Sequence, residues 1–321
     1  MTIKIVYHDR YNFPYKFMKN MAWGIKICTF GAIRELHPFI GDRSRRIRDF
    51  LVASGRFGRN DFIVPELDEA LILSYLEPGY REIVHHKTVI ARVVEVPLLN
   101  GFPYVFLRRH LIEPMLLASC GTIKAVELAM QEKLAINLGG GFHHASFYSG
   151  DGFCLYPDIP IAMKEIRKRQ PGLKIAVLDC DAHQGNGTAR SLDKHDGTLM
   201  ADMFNCQIYP QDTEAAKVTD VVVRLNSGCP DQVYLQTLAT TVLPAIEKFR
   251  PQLLIYGAGT DIYEKDPLGS MCVSAQGIVQ RDRLVWDFAR QHDIPLAVVL
   301  SGGYHMDSGR IIADSILQNF A

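Results

Sequence analysis

Two carboxylates and an imidazole stand at alternate positions in Asp179-Cys180-Asp181-Ala182-His183-Gln184-Gly185, directly after the apolar run Ile175-Ala176-Val177-Leu178. Alternate side chains share one side of an extended backbone, so Asp179, Asp181 and His183 fall together if the strand runs on. Such a row is half of a metal site. Asp261 is the candidate for the missing oxygen ligand, since it follows Leu253-Leu254-Ile255-Tyr256 through the flexible stretch Gly257-Ala258-Gly259-Thr260. Ligands of open parallel sheets gather beyond the carboxyl ends of the strands, so acidic residues just after two buried strands can converge on one point. Asp181, His183 and Asp261 would leave a fourth position open, the arrangement of catalytic rather than structural zinc. The donor set alone also suits other first-row metals, and a plain Asp-rich turn would account for the first segment taken by itself.

A second group of chemically able residues is Gly139-Gly140-Gly141-Phe142-His143-His144, which follows the strand candidate Leu134 to Leu138. Three glycines let the backbone turn sharply and come close to a ligand, with Gly141 nearest the histidines. Neutral imidazole suits proton transfer near pH 7, and two of them beside a metal can divide the base and acid duties. The glycines do not make a dinucleotide loop, because His144 stands where a G-x-G-x-x-G spacing needs its last glycine. Ser301-Gly302-Gly303-Tyr304 again places glycines and one functional side chain after a strand candidate. The Tyr304 phenol there can donate to a carbonyl oxygen as it gains negative charge. Gly152 and Phe153, after Asp151, can line a narrow apolar channel, and Leu268 can supply another wall.

These groups need strands to carry them. Strands are expected at Ile3 to Tyr7, Leu134 to Leu138, Lys174 to Leu178, Val221 to Leu225, Leu253 to Tyr256 and Pro295 to Leu300, all short and rich in β-branched residues. Helices are expected at Thr122 to Gln131, Ile159 to Arg169, Asp231 to Lys248, Ala275 to Gln291 and Gly309 to Asn319. In the third, Tyr234, Leu238, Val242 and Ile246 form one apolar stripe to lay on a sheet. The alternation of the two kinds implies βαβ units. Residues 30 to 112 read as short helices and loops that wrap the first strands. The expected fold is α/β: a single-domain three-layer αβα arrangement over residues 1–321, with a mostly parallel central sheet and the site at the carboxyl ends of its strands.

Composition sets the bounds. The 321 residues, 48% hydrophobic, are enough for a full core, and 35 basic residues balance 35 acidic ones, so the charge argues for no nucleic-acid partner. The basic run Arg43-Ser44-Arg45-Arg46-Ile47-Arg48 reads as the solvated face of a helix that continues into Phe50-Leu51-Val52. Seven scattered cysteines without a C-x-x-C pair fit reduced thiols. No apolar run is long enough for a signal peptide or membrane span, and a soluble cytoplasmic protein is expected.

Taken together, these pieces resemble the zinc-dependent histone deacetylase family, and within it the class IV branch typified by histone deacetylase eleven. The resemblance runs through Leu36-His37-Pro38-Phe39, Ile136 to His144, Gly152-Phe153-Cys154, Asp179 to Gly187, Gly259-Thr260-Asp261, Ser301-Gly302-Gly303-Tyr304 and Ile311 to Leu317. It implies an arginase/deacetylase-like fold with one catalytic zinc held by Asp181, His183 and Asp261. It further implies that His144 is the general base toward the attacking water, that His143 is its partner held by Asp179, and that Tyr304 polarises the scissile carbonyl. A structural potassium would lie near Asp179, Asp181 and His183, with Asp202 and Met203 at the matching positions. Gly141, Gly152, Phe153, His183 and Leu268 would line a tunnel for an acyl-lysine side chain.

One departure from the class I pattern is Asn186, which stands where that class has an aspartate behind the second histidine. An amide offers no full charge to an imidazolium, so His144 should have the lower proton affinity. The implied reaction is hydrolysis of an Nε-acyl-lysine amide on a protein or peptide, or of an acylated small amine. Three other readings stay open: an acetylpolyamine amidohydrolase, an arginase-like binuclear ureohydrolase, and an acyl-lysine binding protein with a dead site. The binuclear reading is disfavoured because Gly185 and Tyr263 stand where further carboxylates would be needed.

Overall fold

The computed structural model describes residues 3–12, 41–192 and 197–320, so the Leu36-His37-Pro38-Phe39 motif and residues 30–40 lie outside the described residues. Eight strands form one sheet: β1 (Lys4–Val6), β2 (Phe62–Ile63), β3 (Leu134–Asn137), β4 (Ile175–Asp179), β5 (Thr198–Asn205), β6 (Val221–Leu225), β7 (Leu253–Gly257) and β8 (Leu296–Val299). Their spatial order is β2-β1-β3-β8-β7-β4-β5-β6, and every neighbouring pair is parallel. Parallel strands need crossovers, which place helices on both faces and bury every strand. The α/β three-layer expectation therefore holds.

The alternation of strand side chains sends each strand into two cores. On one face Ile136, Leu178, Met203, Tyr256 and Val298 meet α1 (Arg43–Ala53), α5 (Asp231–Thr237), α6 (Leu243–Phe249), α7 (Ala275–Gln291) and α8 (Ser308–Asn319). On the other, Ala135, Val177, Met200, Ile255 and Val299 meet α2 (Glu113–Glu132) and α3 (Asp158–Arg169). A further short helix, α4 (Asn186–Ser191), follows β4. The stripe Tyr234, Leu238, Val242 and Ile246 is fully buried on the sheet, each side chain contributing about 1.5–3 kcal/mol of apolar transfer.

Several elements differ from the sequence reading. The helix expected over Asp231 to Lys248 is broken by a π-helical turn at Leu238–Val242, and α2 is preceded by another at Arg108–Ile112. In both cases a proline, Pro244 or Pro114, sits in the first turn of the α-helix that follows. A wider turn absorbs the amide that proline lacks. The sheet also contains β2 and β5, which the sequence reading does not include. β5 carries Ala201, Asp202 and Asn205, residues of low strand propensity, and owes its form to pairing with β4 and β6. Arg43 is the third correction. Rather than facing solvent, its guanidinium reaches across to the carbonyls of Ser301, Gly302 and Gly303 at 2.6, 2.8 and 3.2 Å.

Candidate active site

The four strands whose tips carry the candidate residues, β3, β8, β7 and β4, are adjacent in the middle of the sheet. β3 leads into the glycine–histidine loop, β8 into Ser301 to Tyr304, β7 into Asp261 and β4 into Asp181 and His183. Because β8 and β7 lie between β3 and β4, segments far apart in sequence end side by side at one rim of the sheet.

β4 ends at Asp179 rather than continuing to His183. Beyond it, the Asp179 carboxylate accepts from the amide of Asp181 at 3.2 Å, and the Asp181 carboxylate accepts from the amide of His183 at 2.9 Å. These local bonds replace a strand ladder and bend the chain over the sheet edge. Asp179 thereby turns to His143, with Oδ2 2.8 Å from Nδ1, while Asp181 and His183 turn to Asp261.

Asp181, His183 and Asp261 are buried, and each offers a ligand atom within 4.8 Å of the others. His183 Nδ1 lies 3.1 Å from Asp181 Oδ1 and 2.8 Å from Asp261 Oδ2. Among the described residues, the ion-pair partners of these two carboxylates are imidazoles alone. Burial and the neighbouring Asp181 carboxylate push the Asp261 carboxyl up to about 8. Two carboxylates set this close in a dry site call for positive charge. Room for it depends on Gly302, where an added Cβ would fall 2.4 Å from Asp261 Oδ2 and 2.6 Å from Asp181 Oδ2. Donors, charge and clearance all fit a cation bound by two oxygens and one nitrogen.

His143 and His144 are delivered by a turn that needs glycine. Gly141 has φ +78°, and a Cβ there would come 2.6 Å from the Ser301 amide nitrogen. The loop is anchored by Asp158, a residue absent from the sequence-derived site, whose carboxylate accepts from the amides of Gly141 and Phe142, both at 2.8 Å. The two rings lie 4.1 Å apart between centroids. His144 Nδ1 is 2.8 Å from Asn186 Oδ1. Burial lowers the proton affinity of both, but the Asp179 and Asp181 carboxylates reverse this for His143 and raise it to about 9. At His144 burial is reinforced by the neighbouring His143, and the Asn186 amide offsets too little, so its pKa stays well below the usual imidazole range. Near neutral pH, His143 carries a proton and His144 does not.

The Tyr304 ring packs edge-on to Phe153 at 6.0 Å and to His183 at 6.2 Å. Burial, with Asp181 and Asp261 nearby, raises its pKa well above that of a free phenol, so it stays a donor. Gly141, Phe142, Gly152, Phe153, Cys154 and Tyr304 line part of a cleft of about 110 Å³. Leu268 is half-buried in the loop after Asp261 and is not among the described residues lining that cleft. Tyr209, 42% exposed, stands edge-on to His144 at 5.1 Å. It follows β5, so a sequence reading without that strand has nothing to place it. Asp202 pairs in register with Asp179, and its Oδ1 is buried without a hydrogen-bond partner; Met203 beside it is buried too.

Known proteins share the family and the fold. Histone deacetylase 2 of Arabidopsis thaliana is 37% identical over 289 residues, covering 90% of this chain and 75% of that protein. The crystal structure of the HDA15 HD domain superposes with a TM-score of 0.74 at 19% identity, covering 99% of this chain and 88% of that one. An acetylpolyamine aminohydrolase from Burkholderia pseudomallei superposes with a TM-score of 0.69 at 20% identity, covering 88% and 90%. At those identities the two structures attest to the fold. Residues 37–320 match the histone deacetylase domain, and the chain belongs to that family.

Proposed function

We propose that this protein is a zinc-dependent hydrolase of Nε-acyl-lysine amides of the class IV type. The observation that carries the reading is the convergence of a buried Asp181–His183–Asp261 triad with the paired His143 and His144, the first on the Asp179 carboxylate and the second on the Asn186 amide. Asp181, His183 and Asp261 would hold the zinc, which when bound supplies Lewis-acid polarisation of a carbonyl and acidifies water.

The chain's own groups do the rest. His144, unprotonated, takes a proton from water as the water oxygen bonds to the acyl carbon. Tyr304 donates its hydroxyl hydrogen bond to the carbonyl oxygen as charge builds there. His143, protonated and held by Asp179, gives its proton to the lysine nitrogen as the carbon–nitrogen bond breaks, leaving a carboxylic acid and a free amine. Asn186 fixes the His144 ring while leaving it uncharged.

Gly141, Gly152, Phe153 and Leu268 are assigned to the acyl-lysine channel; the first three line the cleft beside the glycine loop, and Leu268 is assigned by the family resemblance. A potassium ion beside Asp179, Asp181, His183, Asp202 and Met203 would give Asp202 Oδ1 the partner it lacks. We read residues 1–321 as one deacetylase domain working in the cytoplasm; the six described cysteines are free thiols, and no described helix is long and apolar enough to cross a membrane. The test is kcat/KM of the zinc-loaded protein on acetyl-, octanoyl- and myristoyl-lysine peptides and on acetylated polyamines. Turnover of at least one lysine peptide is expected, with the longer acyl groups preferred. Hydrolysis confined to polyamines, or absent from all, would refute the reading.

A further inference from the structure

The turn Ser301 to His305 lies between the end of β8 at Val299 and the start of α8 at Ser308; its Ser301 amide donates to the Gly140 carbonyl at 3.2 Å and its Gly302 carbonyl accepts from the Thr260 amide at 3.0 Å, and side chains hold much of the rest. Arg43 takes the carbonyls of Ser301, Gly302 and Gly303, and Asp181 Oδ2 takes the amide of Gly302 at 2.6 Å. The amides of Tyr304 and His305 go to a residue with no part in the chemistry above. Asp266, 9% exposed, accepts through Oδ2 from the amides of Tyr304 at 2.7 Å and His305 at 3.1 Å. Its Oδ1 accepts from the amides of Leu268 at 2.9 Å and Gly269 at 3.3 Å. One buried carboxylate thus gathers four backbone donors from two loops.

The peptide unit between Gly303 and Tyr304 is gripped at both ends, its carbonyl by Arg43 and its N–H by Asp266. That grip sets the direction in which the Tyr304 side chain leaves the backbone. The other loop is equally fixed, since a Cβ at Gly269 would fall 1.8 Å from the Asp261 carbonyl oxygen, leaving little slack between the Asp266 loop and the backbone of Asp261. Asp266 therefore references Tyr304 to the strand tip that carries Asp261.

We propose that Asp266 is a positioning residue that aims the Tyr304 hydroxyl at the reacting carbonyl, by fastening the Tyr304 turn to the loop that follows Asp261. This rests on the role given to Tyr304 in the proposed hydrolysis. Displacing a catalytic group by about 1 Å costs on the order of a hundredfold in rate, so Asp266→Asn, which turns one acceptor into a donor facing an amide, lowers kcat about 10- to 100-fold and leaves KM within about twofold.

The experiment is a double-mutant cycle on the full zinc-loaded chain, with Asp266→Asn, Tyr304→Phe and both together, read as kcat and KM on an acyl-lysine peptide, with zinc per chain measured for each. A residue acting through the Tyr304 hydroxyl adds less than about threefold to the loss once that hydroxyl is gone, and zinc stays at one per chain. Independent losses that multiply in the double variant, loss of zinc in Asp266→Asn, or full activity of Asp266→Asn beside a crippled Tyr304→Phe would each overturn the proposal. Near-normal turnover of Tyr304→Phe would instead overturn the role of Tyr304 itself. Asp266→Ser, which keeps one oxygen acceptor, runs through the same cycle, so the outcome does not hang on a single variant folding.

Discussion

His143 and His144 are in ring contact, yet the outer nitrogen of the first meets the carboxylate of Asp179 and that of the second meets the amide of Asn186, both at 2.8 Å. This difference in charge, with Asp181 also near His143 and His143 itself beside His144, separates the two imidazoles into a proton holder and a proton acceptor. Asn186 is in turn 3.4 Å from Asp212, whose charge is matched by Arg190 at 2.7 and 2.8 Å. No net negative charge reaches His144 from that side.

Asn186→Asp should therefore raise the proton affinity of His144 by about 1–3 pH units. A base must be unprotonated to act, so the acidic limb of the pH profile of kcat/KM should move to higher pH and activity near pH 6 should fall. Should the limb stay where it is in the wild type, His144 is not the group that titrates there.

Gly302 faces the carboxylates of Asp181 and Asp261 at distances that leave no space for a methyl group. Gly302→Ala should abolish stoichiometric zinc binding while leaving the sheet intact, because the Cβ displaces the two carboxylates proposed to hold the cation rather than entering the apolar core. Elemental analysis after dialysis, with far-UV circular dichroism as control, checks this. One tightly held zinc in the variant would place the cation elsewhere.

Beneath the same site, Arg281 is fully buried, donates to the carbonyls of Cys180 and Gly259, and pairs with Asp282 at 2.8 Å. Those carbonyls directly precede Asp181 and nearly precede Asp261. Asp282 also takes hydrogen bonds from Tyr256 and Ser315, each at 2.6 Å. Arg281→Met leaves a buried carboxylate without its cation and should cost about 3–5 kcal/mol in urea unfolding. Adding Asp282→Leu should recover part of that loss; a single variant as stable as wild type would mean that the pair is dispensable.

The triad, the paired histidines and Tyr304 are legible in the sequence because each follows a short apolar run, and parallel sheets bring such tips together whatever the connections. The buried stripe from Tyr234 to Ile246 is legible from periodicity alone. Arg43, Asp158, Asp266 and Arg281 are not, since each serves by binding backbone groups of a distant loop, and such a contact leaves no spacing pattern. Tyr209 is hidden for another reason. It follows β5, a strand made by its neighbours rather than by its own residues.

Remote from the site, His85 Nε2 lies 2.7 Å from the hydroxyl of the buried Tyr156. Burial is the larger influence on this imidazole and lowers its pKa, although Glu69 pulls the other way. The folded state thus resists a proton that the unfolded chain accepts at about pH 6.5. A lowered folded pKa means that the neutral ring's contribution is fully present above that value and is lost as pH falls through the folded pKa. His85→Gln, which keeps a polar side chain but cannot titrate, should therefore lose less stability than the wild type between pH 7 and pH 5. Chemical denaturation at both pH values checks the difference, and parallel losses in the two proteins would show that His85 takes no part in the acid sensitivity of the fold.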